Sequence, residues 1–102
     1  MCESKQDVIE AVIKKLQKGN QDFVETEQNN GDISQLVRTR NVEEGQKPVA
    51  VVVTCSDSRV PPEHIFSAGI GELFVIRTAG NVIGDFELGS IEYAVGHLGT
   101  PV

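Results

Sequence analysis

The sequence predicts an α/β fold, a small parallel β-sheet with crossover helices and a long N-terminal helix. Two apolar runs, Val49 to Val53 and Leu73 to Ile76, predict strands that are buried on both faces. Helical periodicity precedes the first run, follows the second, and occurs briefly between them. This alternation of strands and helices is typical of parallel sheets with right-handed crossovers.

Length and composition indicate one domain in an acidic protein. The 102 residues predict a single domain over 1–102, with an N-terminal helix arm (5–27) and an α/β core (48–102). With 9 Lys and Arg against 15 Asp and Glu, the net charge of −6 argues against a nucleic-acid partner. No apolar run approaches the roughly 20 residues that span a bilayer. No signal peptide is recognisable, so we expect no membrane partner and a cytoplasmic location.

The first element is a helix over residues 5–27. Ser4 is its predicted N-cap, with Asp7 three residues later. Apolar residues then recur at helical spacing on one face, at Val8, Ile9, Val12, Ile13, Leu16 and Phe23. Either the protein's own sheet or a second subunit could cover this stripe, and the sequence leaves both alternatives open.

The later helices are shorter. Residues 33–44 show weak periodicity and predict a loop or a short helix over Ser34 to Thr39. Pro62 to Phe66 predicts one or two helical turns, because proline is tolerated in a first turn. Asp85 begins a helix that Gly99 and Pro101 stop. Its predicted apolar face consists of Leu88, Ile91, Val95 and Leu98.

Chemically active side chains follow the first strand. Cys55, Asp57 and Arg59 stand within five positions at its carboxyl end, where open α/β sheets place their ligands. A thiolate is a soft zinc ligand, and a carboxylate can bind a metal or be held off it by an arginine fork. A buried strand-end cysteine is more often simply a small apolar residue. Cys2 and Cys55 are not expected to form a disulfide, because Cys2 is terminal and the expected compartment is reducing.

Four segments, in this order, resemble the β-class carbonic anhydrases. They are Leu16–Phe23, Cys55–Phe66, Glu72–Asn81 and Ser90–Val95. The resemblance implies a zinc enzyme that interconverts carbon dioxide and bicarbonate, or a near relative acting on carbonyl sulfide. It also implies a β-carbonic anhydrase-like fold.

The resemblance assigns roles to the strand-end residues. It implies that Cys55 is a zinc ligand and that Asp57 accepts a hydrogen bond from the zinc-bound hydroxide or becomes a fourth ligand. Arg59 would pair with Asp57 and decide between these two states. The backbone of 79–81 would line the pocket.

The sequence also departs from the family pattern. The family's other two zinc ligands belong to a later Gly-His-x-x-Cys segment, which these 102 residues lack. We therefore expect a domain that is incomplete at its C-terminus and doubtful activity of this chain alone. The alternative is a non-catalytic, truncated scaffold that dimerises without zinc. His64, His97 and Cys2 are poor substitutes, since the helix should turn His64 away, His97 suits a helix C-terminus and Cys2 is terminal.

Assembly follows from the small predicted sheet. Two parallel strands are too few for independent stability, and each leaves an unpaired edge. The resemblance points the same way, because the family's N-terminal helix reaches a partner subunit. We expect a homodimer or a higher homo-oligomer.

Overall fold

The computed structural model describes residues 4–102, so the expectations for Cys2 lie outside the described residues. The elements in chain order are α1 (Lys5–Thr26), α2 (Gln35–Glu44), β1 (Ala50–Cys55), α3 (Pro62–Ile65), β2 (Leu73–Thr78), a 3₁₀ turn (Ala79–Asn81), α4 (Asp85–Glu92) and a π-helical turn (Tyr93–His97). Within residues 4–102, none of the helices has the length and apolar character needed to cross a membrane.

The two strands pair in parallel, as the sequence predicts. Ala50 lies opposite Leu73, and the register continues to Cys55 opposite Thr78. Both strands therefore end at the same edge of the sheet. On the other side of β1, the Val51 N–H donates to the carbonyl of Val102 at 2.7 Å. Among residues 4–102 the sheet has two strands, in the order β1–β2.

Helix α1 packs its apolar stripe on the protein's own core. The Ser4 hydroxyl accepts a hydrogen bond from the Asp7 N–H at 3.1 Å and caps the helix as predicted. Val12 is buried in the core, and Leu16 packs against the same cluster. The sequence left open whether the protein's own sheet or a second subunit covers the apolar stripe. For Val12 and Leu16, the sheet and the residues packed on it provide the cover.

A close helix contact fixes α1 against α3. A Cβ added at Gly19 would lie 1.8 Å from the Phe66 carbonyl oxygen, so only glycine fits here. One residue later, the Asn20 amide donates to the Ile65 carbonyl at 3.0 Å. The glycine that weakens the helix in isolation therefore permits this contact.

Two helices differ from their predictions. Helix α2 is longer than the predicted Ser34 to Thr39 and contains no buried residue. The predicted helix from Asp85 to Leu98 is α-helical only to Glu92 and then widens into a π-helical turn. The predicted apolar face is partly buried, since Ile91 and Leu98 are half-buried. Ala94 is fully buried, whereas the predicted core residues Leu88 and Val95 are 47% and 54% exposed.

The hydrophobic core is small. Its buried apolar residues are Val12, Ala50, Ala68, Leu73, Ile76 and Ala94. Several large apolar side chains are exposed elsewhere, including Val42 at 85% and Phe86 at 90%. Val12, Ala50, Ala68 and Leu73 form one packed cluster, and Ile76 and Ala94 are buried outside it. The fold leaves much apolar surface in contact with solvent.

Candidate metal centre

The candidate centre lies at the carboxyl edge of the sheet. Cys55 is the last residue of β1, and Thr78 opposite it is the last residue of β2. The chain after each strand forms a polar turn, 56–59 after β1 and 79–81 after β2. Because the strands are parallel, both turns meet beside the Cys55 side chain.

The Cys55 thiol is surrounded by backbone N–H groups. Gly80 donates from its N–H to the Cys55 Sγ at 3.4 Å. Gly80 and Asn81 have φ values of 73° and 46°, a left-handed conformation that glycine and asparagine tolerate best. The N–H groups of Asp57 and Gly80, with that of Asn81, lower the pKa of the Cys55 thiol by stabilising its thiolate. The site therefore favours the form of cysteine that binds metals.

Asp57 and Arg59 form a bidentate ion pair. The Arg59 Nε donates to Asp57 Oδ1 at 3.0 Å, and Nη2 donates to Oδ2 at 2.8 Å. The Arg59 backbone N–H also donates to Oδ1 at 2.8 Å. These hydrogen bonds lower the pKa of the Asp57 carboxyl, and the side-chain hydrogen bonds from Arg59 have the larger effect. The ion pair between Arg59 and Asp57 that the resemblance implies is present.

Arg77 belongs to the same edge, and the sequence analysis missed it. Its Nε donates to the Cys55 carbonyl at 3.0 Å and its Nη2 to the Asp57 carbonyl at 2.5 Å. One guanidinium thus links the end of β2 to the two carbonyls on either side of Ser56. The only sequence signal for this role is the position of Arg77 at the end of the neighbouring strand.

Neither described histidine joins Cys55 and Asp57. His64 lies on α3, with its Nδ1 3.2 Å from the Nδ2 of Asn29. His97 stacks on Tyr93, with ring centroids 5.0 Å apart. Residues 4–102 contain no group of three or more His, Cys, Asp or Glu side chains placed to hold a metal ion.

The donor set can be compared with what zinc requires. A catalytic zinc site uses three protein ligands and one open position. Cys55 offers a thiolate, and the Asp57 carboxylate is already engaged by Arg59. The described residues alone therefore do not fit a complete catalytic zinc site.

Comparison of the sequence with known proteins identifies a family. A family model described as "Carbonic anhydrase" matches residues 50–102. Carbonic anhydrase 2 of Mycobacterium tuberculosis is 48% identical over 93 residues, which cover 90% of this chain and 44% of that protein. The chain thus spans less than half the length of this relative.

Solved structures agree with the sequence match. The β-carbonic anhydrase CcaA superposes with a TM-score of 0.58 and 34% identity, over 86% of this chain and 44% of that one. A structure from a study of two tetrameric β-carbonic anhydrases of Sordaria macrospora gives a TM-score of 0.57 and 33% identity, over 65% of this chain and 35% of that one. The matched residues, the parallel sheet and the strand-end cysteine together show that the chain belongs to the β-class carbonic anhydrase family.

Proposed function

We propose that the protein contributes the Cys55 half of a zinc site to reversible hydration of carbon dioxide. The observation that carries this proposal is the Cys55 thiol, which lies among backbone N–H groups beside the paired Asp57 carboxylate. Family membership supports the reaction class. The additional ligands that zinc requires would come from outside the described residues, in the same protein or in another chain.

The chain's own residues have distinct tasks in this proposal. The N–H groups around Sγ keep Cys55 ready to bind a metal, because they favour the thiolate. Arg59 holds Asp57 ionised and directed, so this carboxylate can accept a hydrogen bond from a donor in the site. Arg77 positions the turn that carries both residues.

The second candidate is a non-catalytic scaffold that assembles without zinc. The observation that favours it is the lack of a three-ligand group within residues 4–102. In this case the ion pair and the thiol would persist as structure, and the apolar surface would serve assembly with further copies. A homodimer or a higher homo-oligomer is proposed for both candidates, and the tetrameric relatives support it.

Metal analysis and stopped-flow kinetics on the purified 102-residue chain test these candidates. We expect carbon dioxide hydration near the uncatalysed rate and less than one tightly bound zinc per chain, because residues 4–102 hold no group of three zinc ligands. Cys55→Ser is the matched variant and should remove any zinc that the chain does retain.

A chelator-sensitive hydratase rate from this chain alone would overturn the ligand count. Zinc retention that Cys55→Ser leaves unchanged would instead remove Cys55 from the proposed centre. A longer version of the protein that contains zinc and hydrates carbon dioxide, and loses both with Cys55→Ser, would support the first candidate over the scaffold.

A further inference from the structure

An asparagine–glycine pair, Asn30–Gly31, lies in the loop between α1 and α2. Asn30 is exposed and Gly31 is half-buried. Such pairs are chemically reactive in unstructured chains, because a glycine has no side chain to hinder attack by its own nitrogen on the preceding asparagine. The surrounding structure decides whether this reaction can proceed here.

The reaction is a deamidation through a cyclic imide. The Gly31 nitrogen loses its proton and bonds to the side-chain carbonyl carbon of Asn30, and the side-chain nitrogen leaves as ammonia. Water then opens the ring at either carbonyl and leaves aspartate or isoaspartate at position 30. Overall one water is consumed and one ammonia is released, so no other reactant is needed.

The loop is held tightly against the segment after α3. A Cβ added at Gly31 would lie 2.2 Å from the Gly69 nitrogen and 2.3 Å from the Ala68 carbonyl carbon, so backbone packs directly on backbone. The Asn30 N–H donates to the Ser67 hydroxyl at 2.7 Å. The Ile70 N–H donates to the Asp32 carbonyl at 2.9 Å. Imide formation must distort this contact, because it draws the Gly31 nitrogen towards the Asn30 side chain.

Asn29 holds the reacting nitrogen directly. Its Oδ1 accepts the Gly31 N–H at 2.7 Å, so the proton that must leave is engaged in a hydrogen bond. Its Nδ2 donates to the carbonyls of Glu63 at 3.2 Å and Ala68 at 3.0 Å. Nδ2 also lies 3.2 Å from the His64 Nδ1. With these partners around Nδ2 and a donor at Oδ1, the contacts set the orientation of the Asn29 side chain.

We propose that Asn30 is a deamidation site gated by Asn29. While Asn29 binds the Gly31 N–H and the loop packs on Ala68 and Gly69, the imide does not form. Local opening of the loop releases the nitrogen and permits the reaction. Isoaspartate adds one carbon to the backbone, so Gly31 loses its close contact with Ala68 and Gly69.

Peptide mapping of the full chain, aged at physiological temperature, tests the gate. A synthetic peptide of residues 26–35 in the same buffer gives the unprotected rate. We expect the folded protein to deamidate at Asn30 at least roughly tenfold more slowly than the peptide, because several hydrogen bonds must break first. Asn29→Ala should bring the rate towards that of the peptide while circular dichroism still reports a folded chain. Asn30→Gln is the control and should suppress the product at this position.

Two results would overturn the gate. One is an equal rate in the folded protein and the peptide, and the other is a folded Asn29→Ala protein that deamidates as slowly as the wild type. If Asn29→Ala unfolds the chain, hydrogen exchange at the Gly31 amide of the wild type decides the question. Protection of this amide roughly tenfold or more above the peptide value supports the gate, and exchange at the peptide rate rejects it.

Discussion

At the residue scale, the Arg59 fork sets the ionisation of Asp57. Both guanidinium bonds favour the carboxylate, so the pKa of Asp57 lies below its ordinary value. Arg59→Gln removes the fork and the charge, and it should raise the Asp57 pKa towards the ordinary value. A carboxyl-carbon NMR titration measures this midpoint directly.

The matched control for this prediction is Arg59→Lys, which keeps the charge without the bidentate geometry. Its midpoint should lie between those of the wild type and Arg59→Gln. The direction in which stability depends on pH follows from the lowered pKa of Asp57. The pair stabilises the fold above the unfolded pKa of Asp57, and this contribution is lost as the pH falls through the folded value. An unchanged midpoint in Arg59→Gln would show that the fork does not control the carboxylate.

The sequence predicted this part of the site because its residues are close in the chain. Cys55 ends β1, and Asp57 and Arg59 lie in the turn that follows it, so the short spacing between the two charged residues makes their ion pair foreseeable. Arg77 could not be found in this way. Its guanidinium donates to backbone carbonyls 20 and 22 positions away. Every residue type has a backbone carbonyl, so the sequence does not show which residues accept these hydrogen bonds.

At the element scale, Gly19 sets the distance between α1 and α3. An alanine there adds helix propensity worth about 1 kcal/mol, but its Cβ would meet the Phe66 carbonyl at 1.8 Å. Overpacking against backbone costs about 1 to 3 kcal/mol or more, so the contact outweighs the propensity. We expect Gly19→Ala to lower the free energy of unfolding by about 2 kcal/mol.

Gly89 provides the matched control, because it lies inside α4 with nothing within 4 Å of an added Cβ. Gly89→Ala should therefore raise the free energy of unfolding by about 0.5 to 1 kcal/mol. Urea titrations of the two variants measure both values. A stabilised Gly19→Ala protein would mean that α1 does not pack on α3 as described.

Helix existence was foreseeable from periodicity, whereas helix geometry was not. The apolar residues after Asp85 fit a period of 3.6, which gave the predicted face with Leu88 and Val95. In the structure the Leu98 N–H donates to the Tyr93 carbonyl, a five-residue step that turns the chain and buries Ala94 instead. A period assumed to be constant cannot reveal such a π-helical turn.

At the scale of the whole molecule, the chain exposes more surface than its mass predicts. Its accessible surface is 7104 Å² for 11.1 kDa. A monomer of this mass typically exposes about 5,700 Å², so the excess is roughly 1,400 Å². A stable interface buries roughly 800 Å² on each partner, and the excess is sufficient for one.

One group of exposed apolar side chains follows the candidate centre in the chain. Val82, Ile83 and Phe86 are 63%, 53% and 90% exposed, within five positions of one another and next to the 79–81 turn. By contrast, Val12 and Leu16 of the long helix pack on the protein's own core. The protein's own core therefore covers Val12 and Leu16, which is one of the two alternatives that the sequence left open for this helix, and the 82–86 patch is the stronger candidate for contact between copies.

We therefore expect association through this patch, with folding that depends on protein concentration. Binding of a second copy stabilises the folded state by mass action, so the melting temperature should rise with concentration. Phe86→Asp places a charge on the patch, and it should shift sedimentation towards the monomer and remove the concentration dependence of melting.

Val42→Asp is the matched control, because Val42 is 85% exposed on α2, away from the patch in the sequence. A wild-type monomer that melts cooperatively at the same temperature at every concentration would show that this small core suffices alone. Equal effects of both substitutions would place the contact elsewhere on the surface.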